Sequence, residues 1–134
     1  MFAGTQENRS LEPCGYRLDE HVYFYLEDKI LINHSKVNLK RVQLRATMCF
    51  FLMYLLSNKE KDCISDDEIM AAVWEENNLR ASSNRLWQVA RDLKYKLIEV
   101  GLEGELFFRK GRKGFAVSKE RVLPLYFVTE VYIM

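Results

Sequence analysis

Ser82 to Val117 reads SSNRLWQVARDLKYKLIEVGLEGELFFRKGRKGFAV, and this stretch decides the fold. Its first half changes hydropathy with a helical period. Leu86, Val89, Ala90, Leu93, Leu97 and Val100 are spaced 3-1-3-4-3, which gives a helix one buried face. Ser82-Ser83 opens that helix, and Gly101 stops it after Val100. At about 100° per residue, Asn84, Gln88, Arg91 and Tyr95 stand opposite the apolar stripe. Trp87 and Lys94 fall on one flank, Arg85 and Asp92 on the other. The second half, Leu106 to Val117, reads as strand, tight turn and strand. Gly111 and Gly114 are expected to supply the turn. Arg109, Lys110, Arg112 and Lys113 crowd its tip, four cations in five positions.

Working upstream, Ser65 and Glu68 form a capping-box pattern at the start of a second helix, about Asp66 to Trp74. Asp66, Asp67 and Glu68 suit the positive end of its dipole. Ile69, Met70, Val73 and Trp74 are its inward set. Before it, Leu44, Met48, Phe51, Leu52, Leu55 and Leu56 recur at helical spacing between Leu44 and Asn58. Farther upstream, Tyr16 to Leu39 is strand-like. Glu27-Asp28-Lys29 is a hairpin turn between two β-rich runs, Asn33-His34-Ser35 signals a second turn, and Val37 to Val42 follows as another strand. The expected sheet is antiparallel, with three or four short strands. The fold class is α+β: a winged helix-turn-helix with an N-terminal antiparallel sheet, three helices and a C-terminal β-hairpin wing. The expected organisation is a flexible N-terminus over 1–15, the winged-helix domain over 16–121, and an apolar C-terminal tail or strand over 122–134.

Composition narrows the function classes. The chain has 134 residues, 49 % apolar and 29 % charged, which is one ordinary globular domain rather than a disordered or coiled-coil chain. Cys14, Cys49 and Cys63 are odd in number and form no CxxC pair, and His21 and His34 lie away from them. No metal site or disulfide framework is expected; Cys49 is a core residue and the other two are surface residues. The start of the chain lacks a signal-peptide pattern. The longest apolar run, Met48 to Leu56, is far short of the ~20 residues of a membrane span. A cytoplasmic location is expected, either for the chain itself or as the cytoplasmic part of a membrane-anchored regulator. No GxGxxG, P-loop, HExxH or nucleophile signature is present. The chain is therefore read as a non-enzyme without cofactor or small-molecule substrate.

The formal net charge is only +1, but it is unevenly distributed. Met1 to Leu79 carries 9 Lys/Arg against 13 Asp/Glu, a net −4. Arg80 to Arg121 carries 11 against 5, a net +6. A basic tip held on a glycine turn repels itself and gains from an anionic partner. Arg, Gln and Asn on an exposed helix face have the donors and acceptors that base edges require, and Arg and Lys neutralise phosphate. A merely solvated face is the competing reading of the helix taken alone.

Between Tyr16 and Val117 the chain resembles the OmpR/PhoB-type winged-helix DNA-binding domain, and within it the ToxR/CadC-like branch without a receiver domain. The resemblance rests on Ile64-Ser-Asp-Asp-Glu-Ile-Met-Ala-Ala-Val-Trp74, on Asp92-Leu93-Lys94-Tyr95-Lys96-Leu97, and on Arg112-Lys113-Gly114-Phe115-Ala116-Val117. It departs where Arg109-Lys110 replaces the usual Thr-Val. It departs again where Asp92 stands in place of a base-contacting Arg; Asp92 is expected to pair with Lys96. The resemblance implies a sequence-specific regulator that binds double-stranded DNA, with the helix of about 82–100 in the major groove. Its DNA contacts would be Ser83, Asn84, Arg85, Gln88, Arg91 and Lys94, and the wing of 106–117 would add Arg109, Lys110, Arg112 and Lys113 on the minor groove or backbone. Glu75 and Glu76 lie in the loop that approaches RNA polymerase in that family. Trp87, large for a DNA face, is expected to pack on sugars or thymine methyls, or to cover the sheet or a partner subunit. Two copies on tandem half-sites, as a homodimer, would bind tightly. The alternative is a winged helix acting as a protein–protein interaction module.

Overall fold

The computed structural model describes residues 12–37 and 39–126. Its N-terminal sheet contains β1 (Gly15–Arg17), β2 (Val22–Tyr25), β3 (Ile30–His34), β4 (Leu39–Gln43) and β8 (Leu123–Leu125). All neighbours are antiparallel, in the order β4-β3-β2-β1-β8. The Glu27-Asp28-Lys29 hairpin is present, with Lys29 in the left-handed region at φ 53°. The sheet gains a fifth strand from beyond the wing, because Leu123–Leu125 pairs with β1. Cys14 and Gly15 are already bonded into this sheet. Residues 1–11 and 127–134, which hold most of the expected N-terminal arm and tail, lie outside the described residues.

The second expected turn is displaced. Asn33 and His34 complete β3, and the bend follows at Lys36 and Val37. Asn33 is buried, so its amide must be satisfied. Its Nδ2 donates to the Val100 carbonyl at 2.9 Å, and its Oδ1 accepts from the Ser35 N–H at 2.8 Å. One side chain thus shapes the bend and ties the sheet to the end of the third helix.

Helices α1 (Ala46–Ser57), α2 (Asp66–Val73) and α3 (Ser83–Val100) share one core with the sheet, and α3 packs directly on β3 and β4. Leu44 is buried just ahead of α1 rather than within it, and Trp74 caps α2 from a buried position. The capping box of α2 is formed. Ser65 Oγ accepts from the Glu68 N–H, and Glu68 Oε2 accepts from the Ser65 N–H at 2.9 Å. Lys61 and Tyr54 also donate to the Glu68 carboxylate. Burial alone would raise the carboxyl pKa, but the Lys61, Ser65 and Tyr54 bonds outweigh it and hold the group at about 2. Burial, and then the same contact with Glu68, push Tyr54 up to about 12.

The wing is a three-stranded sheet, because β6 (Phe107–Lys110) and β7 (Gly114–Val117) are joined by β5 (Ile64–Ser65). Phe51 of α1 meets Phe107 and Phe115 edge-to-face, each with centroids 5.8 Å apart, the arrangement that aromatic quadrupoles favour. The two wing glycines do different jobs. Gly111 makes the turn at φ 64°. Gly114 is not a turn residue: it lies in β7, and a Cβ there would stand 2.1 Å from the Ile64 carbonyl oxygen. It is needed so that β5 can approach.

Two stability measurements follow. Gly114→Ala should destabilise by about 2 kcal/mol in urea unfolding, as expected for a backbone clash. Gly111→Ala, with open space around it, should cost only the ~1 kcal/mol of a left-handed alanine. The depressed Glu68 pKa adds stability that is complete above its ordinary value of 4.5 and is lost as pH falls towards about 2. Glu68→Gln should therefore flatten acid unfolding in that window and cost about 1 kcal/mol at neutral pH.

Candidate nucleic-acid interface

The third helix is held by one side. Leu86, Ala90, Leu93, Leu97 and Val100 are buried, and Val89 packs against the core from a partly exposed position. Ser82 caps its start, with Oγ accepting from the Arg85 N–H at 3.1 Å. Gly101 ends it in the left-handed conformation. With the apolar stripe fixed, Ser83, Asn84, Arg85, Gln88 and Arg91 all stand exposed. They cover the N-terminal half of α3, the end that reaches base edges when such a helix enters a major groove.

The other cations are less uniform than their spacing suggests. Lys94 is half-buried; its Nζ lies 3.3 Å from Glu105 and over the Phe107 ring at 5.1 Å. Arg109 forks onto both Asp66 oxygens, at 2.8 and 3.2 Å, and donates to the Arg112 carbonyl. Its guanidinium lies 4.6 Å from the Phe115 centroid and 5.9 Å from that of Trp87. A side chain expected on the free tip thus clamps the wing to the start of α2. The Asp66 N–H reinforces the clamp by donating to the Lys113 carbonyl at 2.7 Å. Strand alternation sends Lys110 to the other face of the hairpin, with Phe108, beside Lys59 to Asp62. Arg112 and Lys113 remain exposed at the turn.

On the far flank of α3, a cleft of about 840 Å³ separates the helix from the start of α1. Arg85, Gln88 and Lys96 line one wall, Arg45 and Thr47 the other. Arg45 was not among the expected site residues. Its signal is a cation at the N-cap of α1 with no side-chain cap, where the dipole favours an acid. Asp92 pairs with its neighbour Arg91, Nε to Oδ1 at 3.5 Å, and not with Lys96 as its spacing suggested. Glu75 and Glu76 are exposed on a 3-10 turn, Glu75–Asn77, between α2 and α3. Among the described residues, no cluster of His, Cys, Asp and Glu could hold a metal, and no helix is long and apolar enough to cross a membrane.

Three helices, a β-hairpin behind the third and an antiparallel sheet in front of the first define a winged helix-turn-helix domain. No family model matches the chain, and no curated protein matches it. Solved structures do. The DNA-binding domain of Escherichia coli CadC superposes with a TM-score of 0.68 at 12 % identity, over 86 % of this chain and 99 % of that one. The C-terminal domain of the nisin resistance regulator NsrR, a lantibiotic response regulator, gives 0.58 at 18 % identity, over 72 % and 91 %. At these identities the likeness is one of fold.

The clamp can be separated from a ligand contact by mutation. Arg109→Ala and Asp66→Asn should each lower stability by about 1 kcal/mol, the scale of a partly shielded forked ion pair with a cation–π contact. Arg109→Lys should not restore it, because an ammonium cannot fork. Unchanged unfolding midpoints in these variants would contradict the clamp.

Proposed function

We propose that this chain is a sequence-specific transcriptional regulator of bacterial type that binds double-stranded DNA in the cytoplasm. The observation that carries the reading is the exposed polar face of α3, with Asn84, Arg85, Gln88 and Arg91 at its leading end, on the same fold as a cationic wing turn. In this reading, residues 16–121 are the binding unit and α3 lies in the major groove. Ser83 takes a phosphate at the helix start, where free N–H groups favour an anion. Arg85 and Arg91 reach bases or phosphates, and Lys94 can add a contact after leaving Glu105. Arg112 and Lys113 hold the adjacent minor groove or backbone, with Lys110 on the outer side of the hairpin. Arg109 contributes chiefly by fixing the wing. Support comes also from the solved neighbours, whose own descriptions name a DNA-binding domain and a response regulator. Tandem half-sites occupied by two copies supply affinity that one small surface lacks. The exposed Glu75-Glu76 turn between α2 and α3 is the surface offered to RNA polymerase.

The second reading, a protein-interaction module, is favoured by exposed Tyr95 and Ile98 on the trailing half of α3. Duplex binding discriminates the two. Selection from a random pool should enrich a repeated half-site, and affinity should fall steeply and log-linearly with salt. Arg91→Ala should cost about 1–3 kcal/mol and relax the selected sequence, as for a base contact. Lys113→Ala should weaken all duplexes alike and lower the salt slope by about 1. If neither substitution changes binding to a selected duplex, this surface is not the interface.

A further inference from the structure

The wing-side flank of α3 holds a feature that phosphate contact does not use. Trp87 is 56 % exposed although it is the largest apolar side chain in the protein's repertoire. Its indole, Ala90 and Phe115 wall a slot of about 340 Å³ between α3 and the wing, with Arg91, Lys94 and Arg109 around the rim. Each of those cations is paired with a carboxylate, Arg91 with Asp92, Lys94 with Glu105 and Arg109 with Asp66. The Arg91 and Lys94 pairs are exposed and can be exchanged for a phosphate at small cost, whereas the Arg109 fork stays with the wing. A ligand that suits the slot pairs an apolar group for its wall with anionic groups for Arg91 and Lys94.

Duplex DNA presents such a group in the major groove, the 5-methyl of thymine. Trp87 is the fifth residue of α3, close to the end that reads base edges in a groove-bound helix. Its neighbours along the exposed face, Asn84, Gln88 and Arg91, are polar and suited to hydrogen-bonding edges. We propose that the Trp87 slot takes a thymine 5-methyl group, which makes Trp87 a specificity-determining residue. The proposal rests on the DNA-binding reading and deepens it. The methyl leaves water for the indole and the Ala90 methyl, Arg91 and Lys94 meet the flanking phosphates, and Arg109 holds the wing side of the slot. Cytosine lacks the methyl; 5-methylcytosine carries it at the same ring position.

The test replaces each thymine of a pool-selected duplex by uracil, one position at a time, which removes only the methyl. At one or two positions per half-site, affinity of the wild-type chain should fall about fourfold, which corresponds to ~0.8 kcal/mol for one methyl-sized group. Trp87→Ala should bind less tightly and treat thymine and uracil alike at those positions. Trp87→Phe should keep part of the preference. Far-UV circular dichroism of both variants should match the wild type, since the side chain is exposed. Equal affinity for thymine and uracil at every position overturns the proposal, including the case in which Trp87→Ala weakens both equally by losing sugar packing. A Trp87→Ala chain with unchanged affinity also overturns it and points to a protein partner. If the wild-type chain binds no duplex at all, the DNA-binding reading itself fails, and the slot's assignment with it.

Discussion

The whole molecule depends on holding α3 by one side without covering the other. Leu86 and Leu93 are fully buried, and Val100 gives its carbonyl to the buried Asn33 of the sheet. These anchors act near both ends of an 18-residue helix, so it cannot roll without exposing apolar surface or orphaning the amide. The five-stranded sheet, α1 and the Phe51–Phe107–Phe115 cluster form the platform for those anchors. In the proposed DNA-binding role this rigidity matters, because a displaced helix would lose several directional bonds to base edges at once.

Charge is organised on the same platform. Arg109 is the most strongly engaged wing cation. It forks onto Asp66, stacks on Phe115, and so couples the hairpin to α2. Exposed pairs such as Arg91 with Asp92 are worth little in water, so Arg91 can exchange a carboxylate for a phosphate or a base at small cost. A modest net charge therefore coexists with a cationic surface. Several acids sit away from it, at Asp67 and Glu68 on the helix start and at Glu75 and Glu76 on the following turn, while Asp66, Asp92 and Glu105 pair with Arg109, Arg91 and Lys94.

Much of this was legible in the sequence, for identifiable physical reasons. The α3 stripe and the Ser65/Glu68 cap are local patterns that no distant contact needs to complete. What was not legible depended on partners far along the chain. Arg109 is separated by 43 positions from Asp66, so spacing alone put it on the free tip. Gly114 looked like a turn residue because the two-residue strand β5 that demands its missing side chain is too short to show a period. Asn33 read as a turn signal because its partner, Val100, lies 67 positions away. Arg45 was missed because its place beside Arg85 exists only once α1 and α3 are packed.

The most direct test of the central claim is a backbone amide NMR titration of the isotope-labelled chain with a selected duplex. The largest shift changes should fall on Ser83 to Arg91 and on the wing turn at Gly111 to Lys113. The outer face of the N-terminal sheet around Tyr23 and Tyr25 should stay unchanged. Shifts centred on that sheet face, or no saturable change with any duplex, would contradict it.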